Sequence, residues 1–290
     1  MSRLVYVNGK IVPEKAANIS VLDHSFMYGN GVFETLRAYG NQVLFLDEHL
    51  DRLFRSLDVL NISFDKTRGF LKSAILQTVE KNRFPNSYVR ITVSRGVGEP
   101  GLDPGLCSSP TVVVFARQFT AYPDKWYETG VTAAVVSFAK PVTGAFGVPV
   151  KSCNYLYNFL ARREAKTRGA LEGIMLSTDG YVTEGSVSNI FIVKNGVLKT
   201  APVAEDVLDG VTRNNVIKLA EQKGIRVLEQ RFLKDDLYNA DECFLTNTTF
   251  EIIPVTRFEK RRVGTGEPGV CTKKLALSFK EFVRFELGNE

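Results

Sequence analysis

Histidine is scarce in this sequence: the 290 residues include only two, His24 and His49. The four cysteines are far apart, and none forms a Cys-x-x-Cys pair. Zinc sites take their ligands mainly from Cys and His at short spacings, so we predict no metal. A Ser-His-Asp hydrolase is not expected either, because the chain contains no Gly-x-Ser-x-Gly turn.

Long apolar runs are also absent. No run approaches the ~18 residues of a membrane helix, and the N-terminal MSRLVYVNGKIV lacks the apolar stretch of a secretory signal. We therefore expect a cytoplasmic protein with no membrane partner. The charge is nearly balanced, with 37 Lys and Arg against 32 Asp and Glu, and a net charge of +5. Because no run of five basic residues occurs, nucleic acid is not an expected partner, and a nucleic-acid-binding protein is the weaker alternative to an enzyme.

The composition is that of an ordinary globular protein, with 44% apolar and 24% charged residues. The length suits one or two domains. Strand, hairpin and helix patterns follow one another as far as residue 120, where a Pro-containing segment of mixed polarity interrupts them. We predict an N-terminal α+β domain over 1–120, a linker over 121–130, and a C-terminal domain over 131–290.

Hydrophobic periodicity predicts the main elements. Asn8-Gly9 joins two apolar segments and indicates a hairpin. Predicted strands cover 3–7, 31–39, 88–95, 111–119, 131–138, 172–177, 189–193, 197–200, 225–230 and 242–246. The first predicted helix begins at Asp47. Further predicted helices cover 67–82, 154–167, 212–223, 234–238 and 272–285.

One lysine stands out by its surroundings. Lys151 lies in FGVPVKSCNYLYNFLA (146–161), between an apolar segment and an apolar-rich helix, whereas most lysines lie on the surface. Burial disfavours the charged ammonium, and a neutral amine is what a Schiff base with a carbonyl cofactor requires. On the local pattern alone, the alternative is a lysine whose ammonium reaches solvent from the end of a strand.

Two segments could bind a phosphate without a P-loop. LDGVTR (208–213) precedes a predicted helix, so Gly210 would allow a close approach, and the helix start would offer free N–H groups beside the Thr212 hydroxyl. LTNTT (245–249) ends a strand with a polar turn. The alternative for each is ordinary capping. Arg52, in HLDRLFRSL, is a candidate charge partner whose alternative is a solvated position on a helix face.

Glu184 lies between a turn and a strand in GYVTEGSVSNIFIV (180–193). A carboxylate at such a position is often an ordinary loop charge. It could also pair with a ring nitrogen of a cofactor and hold its proton, which would make the ring an electron sink.

Taken together, these segments resemble the class IV pyridoxal-phosphate enzymes, which include branched-chain aminotransferases, D-amino acid aminotransferases and aminodeoxychorismate lyases. The resemblance extends from HSFMYGNGVFETLRAY (24–39) to the C-terminal helix. Its most specific segments follow the family's order: KSCNYL (151–156), TEGSVSNIF (183–191), LDGVTRNNVIKLAE (208–221), TNTTFEIIPV (246–255) and GEPGVCT (266–272).

The resemblance implies a two-domain α+β fold, known as fold type IV, with a small mixed α/β N-terminal domain. The larger C-terminal domain would have a β-barrel-like core and surrounding helices. Pyridoxal 5'-phosphate is the implied cofactor. The family also implies a homodimer, with each site between the two domains and completed by a loop of the partner subunit.

The resemblance also assigns roles residue by residue. Lys151 would form the internal aldimine and then move the Cα proton of the substrate, while Glu184 would hold the pyridine nitrogen. Tyr155 would lie near the ring hydroxyl, and Leu208 would pack on the ring. Further cofactor contacts are implied for Arg52, Val187, Ser188, Val211, Thr212, Asn247 and Thr248. Substrate contacts are implied for Tyr28, Phe33, Thr35, Tyr88, Arg90 and Thr249.

One tripeptide favours the branched-chain enzymes within the family. These enzymes carry Tyr-x-Arg on the strand 88–95, and Tyr88-Val-Arg90 matches it. The resemblance implies that the Tyr helps to hold the α-carboxylate and that the Arg can receive a second carboxylate, as of glutamate. We therefore predict transamination between an L-amino acid, of the branched-chain type, and 2-oxoglutarate or another 2-keto acid.

Two alternatives within the family fit the sequence less well. D-amino acid aminotransferases usually have Arg-x-His in the loop after this strand, but no His occurs after residue 49. Aminodeoxychorismate lyases are similar at Thr35 but typically continue with an Arg-Gly-Tyr-type segment, where this chain has SRGVGEPGLDP (94–104). Two departures from common branched-chain sequences are Asn30, in place of Asp, and TNTT, in place of an SGTA-type turn.

Overall fold

The computed structural model describes residues 3–140 and 149–288. The chain divides into two compact units, residues 1–120 with 150–154 and residues 121–149 with 155–290. The segment predicted as a linker, 121–130, groups with the second unit, and the segment that carries Lys151 groups with the first. Residues 146–148 of the apolar segment before Lys151 lie outside the described residues.

The first unit contains an antiparallel sheet and helices. In chain order its elements are β1 (Leu4–Val7), β2 (Lys10–Pro13), α1 (His24–Tyr28), β3 (Gly31–Tyr39), β4 (Gln42–Val43), α2 (Leu46–Val59), α3 (Arg68–Asn82), β5 (Asn86–Ser94) and β6 (Thr111–Gln118). The spatial order of the strands is β2-β1-β6-β5-β3-β4. Every pairing in this sheet is antiparallel.

Local sequence signals account for much of this unit. Asn8 and Gly9 both have positive φ, 46° and 93°, as a tight hairpin turn requires, and the predicted hairpin is confirmed. Helix α2 buries Leu50, Leu53 and Leu57, which lie on one side of a helix because of their spacing.

Alternation along β3 separates its side chains onto two faces of the sheet. Val32 and Leu36 join the buried core beneath α2 and α3, together with Val89 and Ile91 of β5. Phe33, the neighbour of Val32, therefore points to the opposite face. This division decides which of the predicted site residues can meet.

The second unit contains a larger mixed sheet. In chain order its elements are α4 (Asp124–Thr129), β7 (Val131–Ala139), α5 (Leu156–Thr167), β8 (Glu172–Leu176), β9 (Val182–Gly185), β10 (Asn189–Lys194), β11 (Val197–Thr200), α6 (Val211–Gln222), β12 (Val227–Glu229), α7 (Lys234–Tyr238), β13 (Glu242–Asn247), β14 (Glu251–Phe258), β15 (Arg261–Arg262) and α8 (Val270–Glu286). The spatial order is β12-β11-β10-β13-β14-β7-β8-β9, and β15 pairs with β14.

This second sheet curls around its own core. Val182 of β9 and Ile190 of β10 belong to one buried cluster, which also contains Leu245, Ile253 and Ile174. In a flat sheet with this order, β9 and β10 would be separated by five strand spacings of about 4.8 Å each. Their shared core therefore requires strong curvature, in agreement with the predicted barrel-like core, and the predicted α+β class is confirmed.

The sequence-based prediction missed three strands of this sheet, β9, β14 and β15. Strand β14 contains Pro254, which argues against a central strand because proline has no N–H to donate. In the structure Pro254 lies opposite Phe244 of β13, whereas the pairing with β7 begins only at Val255. Within the described strands, Pro254 therefore has a paired neighbour on one side only. Of the other two missed strands, β9 has four residues and follows directly after a turn, and β15 has only two residues.

Among the described residues, no helix combines the length and the apolar character needed to cross a membrane.

Candidate active site

Lys151 is held by a short segment that pairs with the start of β3. The N–H of Phe33 donates to the Lys151 carbonyl (3.0 Å), and the N–H of Cys153 donates to the Gly31 carbonyl (2.8 Å). Lys151 is half-buried, and its Nζ lies 4.4 Å from the centroid of the Phe33 ring. Burial raises the pKa of the Cys153 thiol in spite of nearby Arg90, so this thiol stays protonated and is a weak nucleophile.

Four predicted substrate residues share one face of the first sheet. Phe33 and Thr35 of β3 lie opposite Thr92 and Arg90 of β5. The Arg90 guanidinium carbon lies 3.6 Å from the centroid of the Phe33 ring, and its Nε donates to the Thr92 hydroxyl (3.2 Å). The hydroxyls of Thr35 and Tyr88 are 3.4 Å apart. The structure thus brings a cation, an aromatic ring and two hydroxyls together beside Lys151.

Tyr28 makes a different kind of contact. It lies at the end of α1, where its hydroxyl accepts a hydrogen bond from the Gly101 N–H (3.0 Å). His24, at the start of the same helix, contacts the carbonyl of Glu99 through Nε2 (3.0 Å). The N–H of His24 also donates to the Gly96 carbonyl (2.8 Å), so helix α1 holds the loop that follows β5 at several points, one of them Tyr28.

Arg52 lies on the helix side of the first sheet, behind Glu34. Its Nε and one terminal nitrogen donate to the two carboxylate oxygens of Glu34, each at 2.7 Å. His49 Nδ1 lies 2.7 Å from the same carboxylate, and all three residues are buried. The structure therefore gives Arg52, predicted as a phosphate ligand, a bidentate ion pair with Glu34.

The protonation states in this network follow from burial and pairing. Burial alone would raise the pKa of Glu34, but the charge and hydrogen bonds of Arg52, aided by His49, lower it well below its ordinary value. Burial lowers the pKa of His49, and Glu34 only partly opposes this. The network thus holds an ionised carboxylate, a guanidinium and a neutral imidazole whose Nε2 has no hydrogen-bond partner among the described residues.

In the second unit, Glu184 connects β9 to the loop before α6. Its Oε1 accepts a hydrogen bond from Lys140 Nζ (2.7 Å), and its Oε2 accepts one from the Leu208 N–H (2.9 Å). The Leu208 carbonyl in turn accepts a hydrogen bond from the Asn189 side chain (2.9 Å). Two predicted cofactor residues, Glu184 and Leu208, are therefore in direct contact.

The start of α6 has the features of an anion site. The helix begins at Val211 after Gly210, and no side chain of residues 3–140 or 149–288 caps its first N–H groups. A Cβ at Gly210 would lie 2.0 Å from the Asn189 side-chain oxygen, so a larger residue there would displace the Asn189 side chain. Thr212, buried in the first turn, adds a hydroxyl beside the N–H groups.

A buried carboxylate that sequence reasoning missed shapes the turn after β9. Glu172 accepts hydrogen bonds from the N–H and the hydroxyl of Ser186 and from the hydroxyl of Ser188. Val187, between the two serines, is exposed. The carboxylate thus orients this turn, and the Ser188 hydroxyl, predicted as a cofactor contact, donates to Glu172. In the sequence, Glu172 resembles any charge at the start of a strand.

The turn after β13 is tied to the Ser186–Ser188 turn. Asn247 donates to the Val187 carbonyl (3.2 Å), while its side-chain oxygen accepts a hydrogen bond from the Thr249 N–H (2.8 Å). The Thr249 hydroxyl lies 3.0 Å from that of Tyr122, a residue that sequence reasoning did not select. Thr248 is half-buried in the same turn.

The groups in the second unit fit pyridoxal phosphate. The uncapped start of α6 suits a phosphate, the carboxylate of Glu184 suits a protonated pyridine nitrogen, and Leu208, in contact with Glu184, offers an apolar side chain to a ring face. Tyr155 is half-buried immediately before α5. Among the described residues, no cluster of three or more His, Cys, Asp and Glu side chains could hold a metal ion.

Comparison with known proteins agrees with this chemistry. The family model for class IV amino-transferases matches residues 31–258. A putative branched-chain-amino-acid aminotransferase of Methanocaldococcus jannaschii is 43% identical, over 96% of this chain and 95% of the relative. The crystal structure of the branched-chain aminotransferase from the thermophilic archaeon Thermoproteus uzoniensis with norvaline superposes with a TM-score of 0.91 at 37% identity, over 100% of this chain and 96% of that chain.

Relatives with other activities also match over nearly the whole chain. A D-alanine aminotransferase of Bacillus licheniformis is 32% identical, over 97% of this chain and 98% of the relative. An aminodeoxychorismate lyase of Bacillus subtilis is 34% identical, over 97% and 95%. The branched-chain relative is thus more similar to this chain than either, and the structural match confirms the predicted fold.

Proposed function

The chain belongs to the class IV aminotransferases, and from this premise we propose that it transfers an amino group from an L-amino acid, of the branched-chain type, to 2-oxoglutarate or another 2-keto acid. Its cofactor is pyridoxal 5'-phosphate. The observation that carries the proposal is the pair formed by Phe33 and Arg90 beside Lys151, in which the guanidinium lies 3.6 Å from the ring centroid. An aromatic wall and a cation at one place suit substrates with either apolar or acidic side chains.

We assign the proton transfer to Lys151. When bound, pyridoxal phosphate supplies an electron sink for the charge left on the substrate Cα. Lys151 acts as the general base that removes the Cα proton of the substrate. It then acts as the general acid that delivers a proton to the cofactor carbon. Its position against Phe33 and its backbone hydrogen bonds limit the freedom of the amine.

The other residues hold the reactants. Glu184 keeps a proton at the pyridine nitrogen, since a carboxylate beside that atom favours its protonated form. The start of α6, with Val211 and Thr212, binds the phosphate. Arg52 adds positive charge for the phosphate. Leu208 packs on the ring, and Tyr155 lies near the ring hydroxyl. The turns at 186–188 and 247–249 contact the cofactor, and Thr249 of the second turn contacts the substrate.

Arg90 and Tyr88 give the proposed dual specificity. The Arg90 guanidinium can bind the side-chain carboxylate of glutamate, and the Phe33 ring, over which this guanidinium lies, can contact leucine or valine. Tyr88 and Thr35 offer hydroxyl donors for the α-carboxylate. The greater similarity to the branched-chain relative supports this substrate class over D-alanine and aminodeoxychorismate.

The proposal can be tested by single-turnover reactions of the purified holoenzyme with L-leucine, L-valine, L-glutamate, D-alanine and aminodeoxychorismate. We expect the cofactor spectrum to change rapidly with the three L-amino acids and slowly with D-alanine. Release of pyruvate from aminodeoxychorismate should be absent. Rapid reaction with D-alanine and none with L-leucine would contradict the substrate assignment, and failure of wild-type protein to bind pyridoxal phosphate would contradict the enzyme class.

We also propose a cytoplasmic homodimer. Support comes from the resemblance and from large apolar side chains that are exposed in the first unit, such as Phe26 (73%) and Leu102 (85%). Light scattering coupled to gel filtration should give twice the mass of the chain, and a monomer at micromolar concentration would refute the dimer.

A further inference from the structure

Lys140 has no part in the assigned chemistry, yet it makes the closest contact to Glu184. The distance from Lys140 Nζ to Glu184 Oε1 is 2.7 Å, and the two side chains are only 16% and 10% exposed. The same ammonium donates to the carbonyl of Asp206. One lysine therefore joins strand β9 to the loop that leads into α6.

The backbone explains how Lys140 reaches Glu184. Lys140 directly follows β7, and its N–H donates to the Leu176 carbonyl of β8 (2.7 Å). Because β8 lies between β7 and β9 in the sheet, the lysine side chain spans β8 to reach Glu184. The anchored backbone fixes one end of the side chain, and the two acceptors fix the other.

We propose that Lys140 is a positioning residue for the cofactor, which holds the Glu184 carboxylate against the 206–208 loop and so determines how tightly pyridoxal phosphate binds. This inference rests on the proposed function, since Glu184 is there the partner of the pyridine nitrogen. With Lys140 on Oε1 and the Leu208 N–H on Oε2, the plane of the carboxylate is set by two donors from different elements. An ionised carboxylate accepts about four hydrogen bonds, so room remains for the ring N–H.

Charge balance gives Lys140 a second effect. A largely buried carboxylate without a counter-charge is costly, and it would turn toward solvent or another donor. Lys140 supplies this counter-charge and holds the carboxylate in place, and its bond to the Asp206 carbonyl holds the loop before Val211. The carboxylate for the ring nitrogen and the helix start for the phosphate thus keep a fixed separation.

The chain offers a closely matched control. Lys194 also bridges a carboxylate and a backbone carbonyl, since its Nζ donates to Asp241 (2.9 Å) and to the Asn239 carbonyl (2.7 Å). That pair is exposed on the surface, with Lys194 at 42%. Removal of each lysine deletes the same chemical groups, but only Lys140 touches Glu184.

The experiment measures the dissociation constant of pyridoxal phosphate for the apoenzyme by absorbance titration, in wild type, Lys140→Met, Lys140→Arg and Lys194→Met. We expect Lys140→Met to weaken binding about 10-fold. This is the lower end of the loss in affinity that follows removal of residues that orient the ligands of a bound metal, and Lys140 orients Glu184 in a similar way. Lys140→Arg should recover most of the affinity, and Lys194→Met should change it less than twofold. Thermal melts of the apoproteins check that each variant is folded.

The outcomes separate this inference from the proposed function. Equal or tighter binding by folded Lys140→Met, as expected if the lysine competed with the cofactor for Glu184, would overturn the inference while the function stands. An equal loss in Lys194→Met would overturn it as well. If Lys140→Met does not fold, Lys140→Gln is titrated instead, with the same expectation. No binding by wild type would instead contradict the proposed function.

Discussion

Phe33 and Glu34 are neighbours in β3, yet they lead to opposite faces of the sheet and to different electrostatic environments. Behind Glu34, a carboxylate, a guanidinium and an imidazole are buried together at distances of 2.7 Å. In front of Phe33, Arg90 and Lys151 lie over an aromatic ring and remain half-buried. Loss of one partner from a buried pair of opposite charges is costly, so this cluster holds Arg52 in a fixed position, whereas partly exposed cations on a ring can bind or react with a substrate.

The largest expected effect concerns the amine on the Phe33 face. Lys151→Ala should lower the transamination rate by at least about 10³-fold, because it removes the proposed general base. Steady-state kinetics and borohydride trapping of the cofactor, followed by peptide mapping, measure this. Lys194→Ala, at an exposed position, should retain wild-type activity. A Lys151→Ala enzyme with wild-type activity would contradict the general-base role of Lys151 and the placement of the reaction on the Phe33 face of the sheet.

A second prediction addresses the buried pair on the other face. Glu34→Gln should lower the free energy of unfolding by about 3 kcal/mol, since loss of one partner leaves the Arg52 charge buried without its counter-charge. Denaturant unfolding of the apoprotein measures it. The control, Glu14→Gln, removes a surface carboxylate that pairs with Arg117 in the same sheet, and its unfolding midpoint should stay close to that of wild type. If Glu34→Gln and Glu14→Gln both changed the free energy of unfolding only slightly, the buried Glu34 pair would contribute no more to stability than a surface pair.

Arg90→Ala should separate two substrates. Loss of the guanidinium should lower kcat/KM for glutamate about 30-fold, or about 2 kcal/mol, but for leucine less than about threefold. The control is Arg68→Ala on the helix side, where Arg68 pairs with Asp51 at the surface, and it should affect neither substrate. Equal losses for glutamate and leucine would indicate that Arg90 supports the Phe33 ring rather than binding a carboxylate.

The smallest expected effect is a pH dependence from His49. Burial lowers the pKa of His49 below its ordinary value of 6.5, so the unfolded chain binds a proton that the folded chain does not. The stability is therefore fully present above about pH 6.5 and falls as the pH decreases, by about 1 kcal/mol per pH unit. Between pH 7.5 and 5.5, His49→Asn should show a weaker decline than wild type in denaturant unfolding. An unchanged slope would mean that His49 is protonated in the folded state.

Much of the fold could be predicted from local patterns, because hairpin turns and helix periodicity depend on residues close in sequence. The β1–β2 hairpin and helices α2, α3, α5 and α6 illustrate this. Strand β14 could not be predicted, because it contains Pro254. The proline is tolerated there because the pairing of β14 with β7 begins one residue later, at Val255. That arrangement is a property of the sheet and not of the segment.

The candidate site divides in the same way. Lys151 could be selected from its apolar surroundings, and the start of α6 from its Gly-Val-Thr sequence. Lys140, Glu172 and the Glu34 network could not, because their partners are 44, 14 and 18 residues away. A local pattern contains no information at that range.

The sequence by itself determined the class of chemistry: an amine in an apolar setting, a carboxylate before a strand and a glycine before a helix, in an order that resembles a single family. Only the tertiary structure decided which charges meet. Glu34 and Phe33 differ by one position, and the alternation of a strand sends one to Arg52 and the other to Arg90 and Lys151. Since the effect of a charge depends on its partners and its exposure to water, its role is fixed by the folded sheet.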